Sequence, residues 1–153
     1  MSEPSLSTVL DRNTIVTDLA AYSKDDVIAS LTQLLLKQGY IEQQEAFVAA
    51  VHEREQEGAT GIGGHVAIPH GRSDTVRKNG MAIAILRNEI PWESLDETGA
   101  KAVVLFTVGA NDDGAQEHLK LLSMFARKLA KSQVVEALLH ARSADDVIAA
   151  FAD

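Results

Sequence analysis

Three side chains able to act on an anionic group are spread along the chain: Arg54, His70 and His118. His70 stands in Ile68-Pro69-His70-Gly71. Proline fixes its own φ and biases the preceding residue to an extended backbone, while glycine accepts almost any geometry. The spacing therefore predicts His70 at a strand end beside a sharp exit, where ligands commonly bind in α/β sheets. A ring held there can act as a nucleophile, one nitrogen exposed and the other fixed by a hydrogen bond. The same placement equally suits a turn histidine with a satisfied ring. His118 is expected in the first turn of a helix, on its apolar side, where unpaired N–H groups favour an anion. Its plainer role is a partly buried ring packed beside Leu121 and Leu122. Arg54 continues an apolar helix face just ahead of a glycine-rich stretch. Either it snorkels to solvent or its guanidinium meets an oxyanion near that loop.

Other chemistries find no support. Gly61-Ile62-Gly63-Gly64-His65-Val66 lacks the third glycine of the dinucleotide fingerprint, and no Walker A sequence exists. His65 and His70 are five apart without the His-x-x-x-His or His-x-His spacing of a metal site, so no metal and no cofactor is expected. His52 and His140 fall on expected helix surfaces. The chain has no cysteine, which excludes thiol nucleophiles, disulfides and Cys-based zinc sites and is compatible with a reducing compartment. A formal net charge of −8 disfavours nucleic-acid binding, which draws its affinity from cations on phosphates. Met1-Ser2-Glu3-Pro4 shows no signal peptide, and the longest apolar runs are too short to span a bilayer, so no membrane insertion is expected. These features point to a cytoplasmic domain.

The elements that must position the three residues are expected as follows. Ser23-Lys24-Asp25-Asp26 is a helix-capping pattern, followed by Val27, Ile28, Leu31, Leu34 and Leu35 on one face and by Gly39 as a stop. A second helix runs from Gln43 to Glu55 with Phe47, Ala50 and Val51 inward, and Arg54 is next on that face. Val66-Ala67-Ile68 is a short strand ending at Pro69. Met81–Leu86 and Ala102–Val108 are apolar runs that suit strands buried on both faces. Ile90-Pro91-Trp92 between them is an edge or turn. Asp113-Gly114-Ala115-Gln116 is a second capping pattern. It opens a helix with His118, Leu121, Leu122, Phe125 and Leu129 along one face. Further helices are expected over Val134–His140 and, after Ser143-Ala144-Asp145-Asp146, over Val147–Phe151. A chain of 153 residues with 46% hydrophobic residues can bury a core of its own. The expected fold is α/β: a single layered domain over residues 1–153, with a mixed parallel and antiparallel central sheet flanked by helices.

Arg54-Glu55, Thr60-Gly61-Ile62-Gly63, Ala67-Ile68-Pro69-His70-Gly71 and Glu117-His118-Leu119 together carry a resemblance that covers nearly the whole chain. The sequence resembles the fructose/mannitol-type IIA component (EIIA type 2) of the bacterial phosphoenolpyruvate-dependent sugar phosphotransferase system. The block from Arg54 to Gly71 is its specific part. The resemblance implies a phosphocarrier in which His70 takes a phosphoryl group from the small carrier protein HPr. His70 then passes it to a cysteine of a separate IIB protein, with a membrane IIC permease downstream. It also implies that His118 and Arg54 share the site. Phosphoryl transfer needs positioning and charge stabilisation, and backbone N–H groups around Gly63 and Gly64, or near Gly71, are candidates to assist. Two protein partners visiting one histidine imply an exposed apolar rim around it. His65 stands where the family more usually has a small or polar residue. The nitrogen-type regulatory IIA proteins share the same motifs and act by binding regulators or transporters; the segment after Ser132 leans to the fructose type.

Overall fold

The computed structural model describes residues 6–152; the Met1-Ser2-Glu3-Pro4 start lies outside them. After a short helix, α1 (Leu6–Val9), and a 3-10 turn at Arg12–Thr14, the elements follow as β1 (Ile15–Leu19), α2 (Lys24–Lys37), α3 (Gln44–Glu57), β2 (Gly61–Gly63), β3 (Val66–Ala67), β4 (His70–Ser73), β5 (Gly80–Ile90), β6 (Ala100–Gly109), α4 (Asp112–Leu129), α5 (Ser132–Leu139) and α6 (Ala144–Phe151).

The two apolar runs become the sheet's long central strands. β5 and β6 pair antiparallel from Gly80↔Thr107 to Ile90↔Ala100, with an irregularity between Ile85 and Ile90. β1 lies parallel to β5, while β3 and β4 lie parallel to β6 one after the other along its far edge, and β2 pairs antiparallel with β3. The sheet is mixed, as expected. Strand alternation sorts its side chains into two cores. Ala82, Ala84, Leu86, Val103 and Leu105 face Val27, Ile28, Leu31, Leu35, Phe47 and Val51 of α2 and α3. Met81, Ile83, Ile85, Val104 and Phe106 face Met124, Phe125, Leu138, Val147 and Phe151 of α4, α5 and α6. All of these except Met81, Ile85 and Met124 are at most 1% exposed. Small alanines on the first face leave room for branched residues of α2; bulkier side chains fill the second.

The capping residues act much as their types dictate. Ser23 accepts from the Asp26 N–H and Ser143 from the Asp146 N–H, each with two acidic residues in the first turn. Gly39, just past α2, takes a left-handed φ of 80°. α4 differs from expectation: its cap is Asn111, whose side chain accepts from the Gly114 N–H at 2.7 Å, so the helix opens earlier than the Asp113 pattern implied. β1, β2 and β4 were not anticipated as strands; β2 lies within the stretch expected to be a glycine-rich loop.

Candidate functional site

His70 opens a strand rather than closing one. Pro69 interrupts the edge because it has no N–H, yet its carbonyl still accepts from the Phe106 N–H at 3.0 Å. The chain therefore stays attached to β6, and the ladder resumes at His70↔Phe106 and continues to Ser73↔Gly109. Gly71 is no exit either. A Cβ on it would stand 2.8 Å from Phe47 Cε1 and 2.9 Å from Val51 Cγ2. The bare backbone lets α3 lie directly on β4, and that close approach places Arg54, the next residue on the Phe47–Val51 face. Arg54 is half-buried and donates from Nη1 to the Gly58 carbonyl at 3.1 Å, just past the helix end.

With α4 starting at Asp112, His118 lies in the second turn, so its ring is not at the helix N-terminus. It is 8% exposed. Its ring centroid is 5.0 Å from that of His70 with the planes tilted by 39°, and it meets Phe106 edge-on at 5.4 Å. Phe106 leads to Phe125 at 5.2 Å and Phe125 to Phe151 at 5.1 Å, so a file of rings runs from the site into the core. His70 and Arg54 line one cavity of about 420 Å³ together with Ala50, Glu53, Glu57, Arg72 and Ala110. Burial, with the Arg54 charge second, lowers the His70 pKa to about 4. Burial, with His70 second, does the same for His118. Both rings are neutral at pH 7, so the His70 ring nitrogen without a proton keeps its lone pair. The three expected residues thus come together.

Arg72 was missed. It is exposed, shares the strand face of His70 two residues on, and donates from Nη2 to the Ala110 carbonyl at 2.7 Å. The i, i+2 rule finds it only once His70–Ser73 is known to be a strand. The glycine turn was over-read. Gly63, Gly64 and His65 take φ values of 90°, 63° and 69°, and the Gly64 N–H is already used by Asp96 Oδ2 at 3.0 Å. This turn sits with Leu129, Ala130 and Val135 near the C-terminal end of α4. Val66↔Ala102 and His70↔Phe106 are four residues apart along β6, about 13 Å at strand rise, so this turn does not cradle a group on His70. His65 pairs with Glu89 there and does not line the His70 cavity.

The neighbouring motif residues build rather than react. Glu55 accepts from Lys24 Nζ at 2.8 Å and from Thr60 Oγ1 at 2.5 Å, and Trp92 Nε1 donates to Thr60 Oγ1 at 2.9 Å. This largely buried network ties the end of α3 and the start of β2 to α2 and to the loop after β5. The apolar rim is narrow: Ala50 and Ala110 line the cavity, while Leu119, which follows His118 on α4, is 64% exposed but does not line it.

Residues 8–153 match the family described as phosphoenolpyruvate-dependent sugar phosphotransferase system, EIIA 2. The chain is 31% identical over 147 residues to the fructose-specific EIIA component of Haloferax volcanii, covering 96% of this chain and 94% of that one. It is 30% identical over 150 residues to the 2-O-alpha-mannosyl-D-glycerate-specific EIIABC component of Escherichia coli K12, covering 97% of this chain and 23% of that protein; this chain thus spans about a quarter of that relative's length. Among solved structures it is similar to the nitrogen regulatory protein IIA-Ntr of Neisseria meningitidis, with a TM-score of 0.85, 28% identity and coverage of 95% and 98%. It is also similar to the Escherichia coli complex of enzyme IIAMTL with phosphorylated enzyme IIBMTL, with a TM-score of 0.79, 25% identity and coverage of 93% and 96%.

Proposed function

The chain belongs to the EIIA type 2 family of the phosphoenolpyruvate-dependent sugar phosphotransferase system, and on that footing we propose that His70 is its phosphoryl acceptor. The donor is the phosphohistidine of HPr. An N–P bond breaks there and forms on a ring nitrogen of His70, the donor imidazole leaving with its electron pair. In the second step that bond breaks and an S–P bond forms on the cysteine thiolate of a IIB protein, ahead of a membrane IIC permease. Uptake of fructose or a similar sugar is the pathway this reading favours, with the chain in the cytoplasm beside its donor and residues 1–153 acting as one EIIA unit. Arg54 faces the transferred oxygens with fixed positive charge, and His118 offers a ring N–H to them.

The observation that carries this reading is the neutral, half-buried His70 ring opening into the Arg54 cavity with a second imidazole at 5.0 Å. Incubation with phosphoenolpyruvate, enzyme I and HPr is expected to label one histidine. Retention of label by a His70→Ala protein would overturn the assignment. The similarity to IIA-Ntr favours a second reading, in which the phosphorylated chain regulates a partner by binding it. A chase separates them. Discharge to a IIB cysteine supports sugar uptake, whereas phosphorylation-dependent binding of a regulator without discharge supports control.

A further inference from the structure

Resting on the assignment of His70 as phosphoryl acceptor, we propose that Arg72 is a second phosphoryl-binding cation, gripping the oxygens of the group on His70 from the β6–α4 side while Arg54 grips them from α3. Residues two apart on a strand point to the same face about 7 Å apart, within the span of an arginine side chain and a phosphoryl group. Arg72 is exposed and lines the same cavity as His70 and Arg54. One Nη2 hydrogen bond to the Ala110 carbonyl, 2.7 Å long, holds its head at the cavity mouth and leaves most of the five guanidinium donors for a ligand.

Among the described residues no ion pair joins Arg72 to a carboxylate, although Glu53 and Glu57 line the same cavity. Its charge is therefore not already neutralised within the chain. The charge balance asks for such a group. A phosphoryl group carries a charge of about −1.5 to −2 near neutral pH. Neither imidazole brings a positive charge, since burial keeps both neutral. Glu53 and Glu57 also line the cavity, so Arg54 alone cannot offset an incoming dianion, and a second guanidinium on the His70 strand face supplies positive charge that the site otherwise lacks. A guanidinium also offers paired donors in the geometry of two phosphoryl oxygens, which an ammonium does not.

The test compares wild type, Arg72→Gln and Arg72→Lys. Transfer from phospho-HPr to His70 is followed as kcat and KM, and labelling of His70 by phosphoramidate is followed with no protein partner present. In that reaction the P–N bond of the reagent breaks, the His70 N–P bond forms, and ammonia leaves. The expected result for Arg72→Gln is a fall of about 10- to 100-fold in kcat and in the phosphoramidate rate. The Lys variant should recover part of it, and the ³¹P resonance of the phosphohistidine should shift. A raised KM for phospho-HPr with unchanged kcat, phosphoramidate rate and ³¹P resonance would show a residue that only meets the partner surface, and would overturn the proposal. Absence of label in wild type would instead remove the His70 assignment, so the two failures are distinct.

Discussion

Two imidazoles 5.0 Å apart, both pushed to about 4 by burial, set the chemistry available at this site. An ordinary histidine is mostly protonated below pH 6 and then has no lone pair to offer. His70 stays unprotonated well below that, so its labelling rate is expected to be flat from pH 8 down to about pH 5 once donor-side titration is subtracted. Quench-flow labelling across that range checks it; a rate that falls with a midpoint near 6.5 would mean the ring is solvated. The second imidazole responds in the opposite sense once the group has moved. A phosphoryl group on His70 places negative charge next to His118, and negative charge favours the protonated ring. Phosphorylation should therefore raise the His118 pKa from about 4. Ring-nitrogen NMR on the free and phosphorylated protein reads that directly. His118→Ala should slow transfer by about 10²-fold with His70 chemistry otherwise intact, measured in the same quench-flow assay.

At the scale of elements, the site depends on how closely α3 approaches β4, and Gly71 sets that distance. Its φ is not left-handed, and alanine in such a strand position normally gains a few tenths of a kcal/mol through the unfolded chain. Here the added methyl meets Phe47 and Val51 below 3 Å. Gly71→Ala is therefore expected to destabilise by about 1–3 kcal/mol and to slow transfer by displacing Arg54. A urea midpoint at or above wild type would show that α3 is not pressed against the strand. The same stretch shows what the sequence makes legible. Ser23, Gly39 and Ser143 announce helix ends because capping is local chemistry, and the 3.6-residue rhythm through Phe47, Val51 and Arg54 places the arginine on the correct face. The Met81–Leu86 and Ala102–Val108 runs mark the central strands because only burial on both faces tolerates such sequences. β4 is different. His-Gly-Arg-Ser contains none of the Val, Ile, Thr, Tyr, Phe or Trp residues that favour strands, and it is a strand only because the edge of β6 from Phe106 to Gly109 lies open beside it. That information is nonlocal. Missing it hid Arg72 and made Gly71 read as a sharp exit from the strand. The glycine turn misled for the related reason that left-handed backbone marks a tight turn wherever it falls in the fold.

Across the whole molecule, the ring file from His118 through Phe106 and Phe125 to Phe151 anchors the site to a core whose central strands are almost fully buried. Such a scaffold holds its charges in place before a partner arrives, which is how fixed donors lower a transfer barrier. In the proposed cycle the donor and the acceptor must both reach His70 in this cavity, and so must use it in turn. Unphosphorylated IIB should then inhibit labelling by phospho-HPr competitively. Leu119 supplies the test of the shared surface. It is 64% exposed on α4, beside the buried His118, so trimming it removes contact area without opening the core. Burying a leucine against a partner stabilises by about 1.5–3 kcal/mol, so Leu119→Ser should raise KM by about 10- to 100-fold for phospho-HPr and for IIB alike. The phosphoramidate rate should not move, because it involves no partner, and stability should fall by no more than about 0.5 kcal/mol, the lower helix propensity of serine. A KM that rises for one protein and not for the other would separate the two docking surfaces. Donor and acceptor would then contact α4 differently while still excluding each other at His70.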